Sequence, residues 1–152
     1  MAIAPSTGTG IDTKTIPWVP MPTKDGSPTR AWAKLLHLDL ERNFVIMLNK
    51  VAEGTVLPQH THLSEAIGST LSGHWSYRDL QLGPDSFGFE PTGTEHAPEY
   101  QEETVALIIF LGDSPELLRT KMPDGREIVT TIQTFVDLKE RQEALMSGVP
   151  RT

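Results

Sequence analysis

The sequence predicts an all-β domain, a sandwich or barrel of short strands, with an extended N-terminal arm and one short helix near its end. Two observations carry this. From Arg30 onward the chain consists of short β-rich runs separated by turn residues, the texture of a sandwich or barrel. Only "FVDLKERQEALM", Phe135 to Met146, has helical spacing, with Phe135, Leu138 and Leu145 on one face and charges on the other.

In chain order, residues 1–29 are rich in Pro, Gly, Ser and Thr, and "IPWVPMP" carries Pro17, Pro20 and Pro22. Such spacing forbids a helix and favours an extended arm lying over a surface, pinned by Trp18 and Val19. The first ten residues should be loose unless a partner subunit holds them. Residues 30–152 then form the barrel and its helix. "RAWAKLLHLDL" and "NFVIMLNKV" are strands divided by "ERN"; "GHWSYRD" alternates; "SFGFEP" follows a "GPD" turn; "TVALIIFLG" reads as a buried strand. "PDG" at Pro123 to Gly125 is a hairpin turn leading into "REIVTTI".

The chain has 152 residues, enough for one domain with a real core. It contains no cysteine, which excludes disulfides, thiolate zinc sites and cysteine nucleophiles, so any metal must be held by nitrogen and oxygen. A net charge of -7 without a basic stripe argues against a nucleic-acid partner. "MAIAPSTGTG" lacks the features of a secretory signal, and the longest apolar run, Val105 to Leu111, is too short to span a bilayer. A cytoplasmic protein without membrane contact is the expectation.

The candidate chemistry lies in "GTVLPQHTHLSEAIGST", Gly54 to Thr70. On a helix, His60 and His62 would point roughly 200° apart; on a strand they share a face. Pro58 disfavours the helix, so two imidazoles can reach one metal. The third candidate is His96, because the turn at Pro91 and Gly93 would send the chain back across the sheet. Three neutral imidazoles would leave a divalent ion with open positions, a catalytic rather than a closed structural arrangement.

The joint pattern resembles the two-motif signature of the cupin superfamily: Gly54, His60-x-His62 and Gly73, then Gly83, Pro91-x-Gly93 and His96. That resemblance implies a single-domain double-stranded β-helix, or jelly-roll barrel, with a metal in its mouth. The usual glutamate ligand would fall three or four residues after the second histidine, where this chain has Ala66 and Ile67. Glu65 comes one step early and would point away from the histidines unless a bulge returned it, which leaves it as an alternative fourth ligand.

A three-histidine cupin of this length, with "GFE" ahead of the last ligand, looks like the acetylacetone (β-diketone) dioxygenases and the related 2,4'-dihydroxyacetophenone dioxygenases. "WVP" at Trp18 to Pro20 and "FLGDSPELLRTKMPDGREI" are similar too, and the resemblance covers roughly residues 16–137. It implies that His60, His62 and His96 hold iron(II), with zinc, manganese or nickel as alternatives. It also implies that the carboxylate of Glu90 stands behind a ligating imidazole, where it would accept the ring's other N–H. The expected reaction is cleavage of a C–C bond in a chelated ketone by dioxygen. The other readings are a non-oxidative metal enzyme (lyase, isomerase or hydrolase) and a zinc-binding sensor module resembling those of anti-sigma factors.

Phe44, Ile46, Phe87, Phe89, Leu107 and Ile109 are expected at the pocket wall, with Trp32, Trp75 and Tyr77 available to stack on an aromatic ketone. His37 and His74 fall outside the motif and read as structural or exposed. Arg30, Arg78 and Arg119 are candidates to meet a substrate anion. The arm and edge strands suggest a homodimer or homotetramer. Metal occupancy should fall below about pH 6, where free imidazole protonates.

Overall fold

The computed structural model describes residues 8–148. The first seven residues, on which the expectation of a loose start largely falls, lie outside the described residues. A single 3-10 turn at Thr13–Thr15 precedes the strands. These are β1 (Val19–Pro20), β2 (Ala31–Asp39), β3 (Phe44–Val51), β4 (His60–His62), β5 (Glu65–Ser72), β6 (Trp75–Tyr77), β7 (Leu80–Leu82), β8 (Phe87–Glu90), β9 (Glu95–His96), β10 (Glu99–Tyr100), β11 (Thr104–Leu111), β12 (Glu116–Lys121) and β13 (Glu127–Thr131), followed by α1 (Ile132–Ser147).

The strands form a six-stranded sheet ordered β1-β2-β3-β11-β5-β8, a three-stranded sheet β10-β6-β7 and a four-stranded sheet β13-β12-β4-β9. The two smaller sheets face the large one. This is the all-β cupin barrel that the sequence predicts, in one domain with a C-terminal helix.

Alternation decides which side of the large sheet faces in. In β3 and β11 the inward residues include Val45, Met47, Ala106 and Phe110, all buried. Their neighbours Phe44, Ile46, Leu107 and Ile109 point to the other face. Met47, Ala66 and Phe110 join Val19, Leu35, Leu117, Phe135 and Leu138 in one core cluster, while Val51, Trp75, Tyr77, Leu82 and Tyr100 form a second. The histidine cavity lies between the two, with Met47, Ala66 and Phe110 on one side and Trp75 and Tyr100 on the other.

The arm is tied down at several points. Val19 is buried and pairs with Ala33. The ammonium groups of Lys34 and Lys50 both sit 4.6 Å from the Trp18 ring centroid, a cation–π arrangement that fixes the indole against the outer sheet face. Arg141 of the helix donates to the Pro20 carbonyl at 2.6 Å.

The helix begins at Ile132, three residues earlier than its apolar spacing suggests, because the Thr131 hydroxyl accepts from the Gln133 N–H and caps it. It ends at Gly148, whose φ of 68° suits glycine. Phe135 and Leu138 are buried as expected, but Leu145 is 52% exposed and the third buried position is Gln142.

Gln142 has a specific partner. The two-residue strand β1 ends its pairing with β2 at Ala33, and β2 bulges between Leu35 and His37. Beyond the end of β1, the Gln142 amide takes the place of a neighbouring strand. Its Oε1 accepts from the Leu35 N–H at 2.8 Å and its Nε2 donates to the Leu35 carbonyl at 3.0 Å. Gln142→Ala strands two buried backbone groups and should cost about 2–4 kcal/mol in denaturant unfolding, whereas a surface change such as Glu140→Ala should cost less than about 0.5 kcal/mol.

Candidate functional site

Pro58, Gln59 and the three residues of β4 set the first two histidines. His60 and His62 share a face, and His60 lies directly opposite His96 in the antiparallel pairing of β4 with β9. The turn from Pro91 to Thr94 carries the chain from the large sheet to the small one. It closes on its own Thr94 N–H to Pro91 carbonyl bond of 3.0 Å and hooks onto β4 through Gly93 N–H to His62 O and His62 N–H to Thr94 O, both 2.8 Å. Gly93 has a φ of 94°, which glycine adopts without strain. His96 thus reaches the pair from the adjacent strand, not from across the barrel.

The three side chains converge through their Nε2 atoms. His62 Nε2 is 3.0 Å from His96 Nε2, which is 2.9 Å from His60 Nε2, and the three are the one such cluster of potential metal-ligating side chains among the described residues. His60 Nδ1 lies 3.0 Å from the Pro58 carbonyl and donates to it, which leaves its Nε2 lone pair facing the cluster. Both His62 Nδ1 and His96 Nδ1 are buried without a hydrogen-bond partner.

Three imidazole Nε2 atoms meeting at one point suit a cation. The donor set, all imidazole, fits iron, zinc, copper or nickel.

Burial lowers the basicity of all three rings. His62 is brought down to about 4 by burial and then by the charge of His60. His96 falls to about 3 through burial, followed by the charges of His60, His62 and Arg78. His60 is lowered too, mainly by burial, with its bond to Pro58 opposing.

Glu90 ends β8 on the inward phase, opposite Ala66, and is 7% exposed. Its Oε1 lies 3.9 Å from His96 Nδ1 and accepts a hydrogen bond from the Tyr77 hydroxyl. Burial, then that bond, raises the Tyr77 phenol above its ordinary range, so it stays a donor. Its ring meets His96 edge-on, 4.4 Å between centroids. Sequence reasoning considered Tyr77 only for substrate stacking, and the alternation of "HWSYR" holds no sign of its bond to Glu90.

Glu65 stands exposed at the start of β5 opposite Leu111, while its neighbour Ala66 lines the cavity. The structure does not bring Glu65 to the three histidines. His37 packs edge-on against Phe44, 5.4 Å away, and neither it nor His74 lines the cavity.

The cavity holds about 200 Å³ and is mostly apolar, with Met47, Leu57, Trp75, Ile108, Phe110 and Leu118 among its walls. None of the expected wall residues Phe44, Ile46, Phe87, Phe89, Leu107 and Ile109 is there. Each sits one residue out of phase and faces outward; Phe87 and Phe89 are 66% and 50% exposed. Of the aromatic candidates, Trp75 lines the cavity, and Trp32 lies outside it with the Lys50 ammonium 5.2 Å from its ring. Gly68 and Gly88 are register partners that both line the wall, and two missing side chains there leave the space open.

Among the described residues, no helix is long and apolar enough to cross a membrane. No curated protein matches the sequence significantly. Among solved structures, an RmlC-like cupin of Ralstonia eutropha JMP134 is 24% identical, with 97% of this chain and 94% of that chain covered at a TM-score of 0.76. A second cupin-like protein of the same organism is 17% identical over 96% and 91%, TM-score 0.75. An acetylacetone dioxygenase of Acinetobacter johnsonii is 18% identical over 93% and 96%, TM-score 0.72. At these identities the likeness establishes the fold alone. The signature of the ChrR cupin-like domain matches residues 6–115, and the chain therefore belongs to that family of cupins.

Proposed function

We propose that the chain is a non-haem iron(II) dioxygenase that cleaves a C–C bond in a β-diketone or an aryl hydroxyketone. The observation that carries this reading is the convergence of three imidazole Nε2 atoms, without a carboxylate among them, on a mostly apolar cavity of about 200 Å³. The likeness to the Acinetobacter johnsonii acetylacetone dioxygenase over nearly the whole of both chains supports it.

In this reading His60, His62 and His96 hold the ion. Because all three are neutral, its double charge is uncompensated and favours an anionic oxygen pair, such as a diketone enolate. Bound iron(II) supplies a chelation site for that pair and a route for its electrons to dioxygen, whose two atoms end on the two sides of the broken bond as a carboxylate and a second carbonyl fragment. Pro58 orients His60 by accepting its Nδ1–H. Glu90, held by Tyr77, stands 3.9 Å from His96 Nδ1, beyond hydrogen-bond reach, and would act on that ring through its charge rather than by accepting its N–H. Gly68 and Gly88 make room for the substrate, while Met47, Ile108 and Phe110 keep water from it.

The family name favours a second reading, a zinc-holding sensor, since ChrR is an anti-sigma protein. The mostly apolar cavity of about 200 Å³ beside the histidines favours the enzyme, because it offers a small molecule a place to bind.

A homo-oligomer belongs to the same proposal. The outward face of the large sheet carries Phe87 and Phe89 on its edge strand β8, with Leu107 and Ile109 on β11 beyond β5. Such an apolar face on an edge strand invites pairing with a second copy.

Metal-free protein reloaded with iron(II) should consume oxygen with β-diketones or aryl hydroxyketones, and zinc-loaded protein should not; equal inactivity with iron verified as bound would favour the sensor. In metal analysis, His96→Ala should lose at least about nine-tenths of the bound ion and Glu65→Ala essentially none. Imidazoles lowered toward 3 and 4 stay neutral well below pH 6, so occupancy should persist through pH 6 and fall as pH approaches about 4. The same depression means that the unfolded chain binds more protons below its ordinary 6.5. Stability of the metal-free protein should therefore be full above about pH 6.5 and decline toward pH 4, by on the order of 3 kcal/mol from His62 alone. In sedimentation, the wild type should run as a dimer or tetramer and Phe87→Glu/Phe89→Glu as a monomer; a monomeric wild type would refute the assembly.

A further inference from the structure

A second cavity, of about 290 Å³, opens beside the histidine cavity. The two share Leu57, His60 and Leu118. Its outer wall is the arm from Met21 to Arg30, and its far side includes Thr55, Thr120 and Met122. The two spaces thus adjoin along Leu57, His60 and Leu118.

The charges there are unusual for a chain with a net charge of -7. Lys24 and Arg30 both line the cavity, and neither is in an ion pair among the described residues. Lys24 Nζ donates to Thr120 Oγ1 at 2.8 Å and Thr130 Oγ1 at 3.0 Å. Arg30 Nε donates to Thr55 Oγ1 at 2.9 Å, and its Nη2 to the Glu53 carbonyl. These partners hold the cations in place without neutralising them. Asp25 also lines the cavity, but its Oδ1 accepts from the Ser27 N–H at 3.0 Å, and the three side chains together remain positive. The Lys24 charge is felt at His60, where it helps to lower the imidazole pKa. Arg78 and Arg119 have other engagements, with the Glu95 carbonyl and with Glu127.

Building on the dioxygenase reading, we propose that the substrate is an acidic ketone, a dicarbonyl or hydroxyketone with a carboxylate at the end remote from its chelating oxygens. Lys24 and Arg30 bind that carboxylate in the outer cavity. Positively charged lining in a negatively charged protein also draws such an anion to the mouth, and a cation already positioned by neutral acceptors loses little freedom when it gains an anionic partner.

The test compares succinylacetone, a β-diketone with a terminal carboxylate, with its methyl ester, by chelate absorption on the iron(II)-loaded full chain under nitrogen. The acid should bind at least about tenfold more tightly than the ester, and in Lys24→Met the ratio should fall to about one. A parallel titration of the metal-free chain with glutarate, followed by amide NMR shifts at residues 23–30, probes the outer cavity without a metal. Saturable shifts in the wild type and none in Lys24→Met would support the anion site. Acid and ester binding alike overturns the acidic substrate while the chelation reading stands. Neither diketone binding, with iron verified and glutarate saturating, overturns chelation and leaves the anion site supported. Failure of all three ligands overturns both.

Discussion

Everything at this site depends on holding three uncharged imidazoles nose to nose in apolar surroundings. Unprotonated, they present lone pairs to one point; protonated, they would repel one another in a place that solvates charge poorly. Burial resolves this in favour of the neutral form, and each added charge on a neighbour lowers the others further. The strands that do the holding are short, three residues for β4 and two for β9, so the geometry rests on what surrounds them. The direct opposition of His60 and His96 is kept by the Pro91–Thr94 turn clasped to His62 on one side and by β12 paired along β4 on the other.

The same period-two alternation that places two histidines on one face organises the large sheet. Met47, Ala66, Gly68, Gly88, Glu90, Ile108 and Phe110 point inward to the cavity. Their chain neighbours Ile46, Phe87, Phe89, Leu107 and Ile109 point outward. Apolar residues on both phases mean that this sheet is built to be covered twice, by the barrel interior on one side and by something apolar on the other. Near β1 and β2 the cover is the arm, with Trp18 lodged between Lys34 and Lys50. Toward β8 none of the described residues takes that role, and Phe87 and Phe89 stand exposed.

Much of the barrel was legible in the sequence because its signals are local. Pro58 before an H-x-H pair, glycine at the positive-φ turn of Gly93, the long apolar runs and the helical spacing of Phe135 and Leu138 each specify structure within a few residues. Which face of a two-sided apolar strand points inward is not local. Phe89 was expected at the pocket wall together with Glu90 behind a histidine, yet adjacent residues of a strand cannot share a face. Placing Glu90 inward sends Phe87 and Phe89 out, and the conflict was readable in "FGFE" itself. Other features join distant parts of the chain and leave no mark in spacing: the Tyr77 bond to Glu90, the Gln142 clasp on Leu35 and the Lys24 bond to Thr120.

Charge is arranged along the cavity in a definite order. Glu90, the one carboxylate in its lining among the described residues, lies behind His96 with one oxygen taken up by the Tyr77 hydroxyl. It lies on the Nδ1 side of that ring, 3.9 Å away, and not on the Nε2 side where the three rings meet. Next come the three neutral rings, and beyond His60 the cations Lys24 and Arg30. A carboxylate ligand at Ala66 or Ile67 would have halved the charge of a bound divalent ion; without one, the full charge would be left to be met by whatever binds. In the proposed reading, an anion entering from the arm side would meet favourable charge first at Lys24 and Arg30 and then at the histidine nitrogens once they hold a cation, so that its oxygen pair would point inward and any remote carboxylate outward.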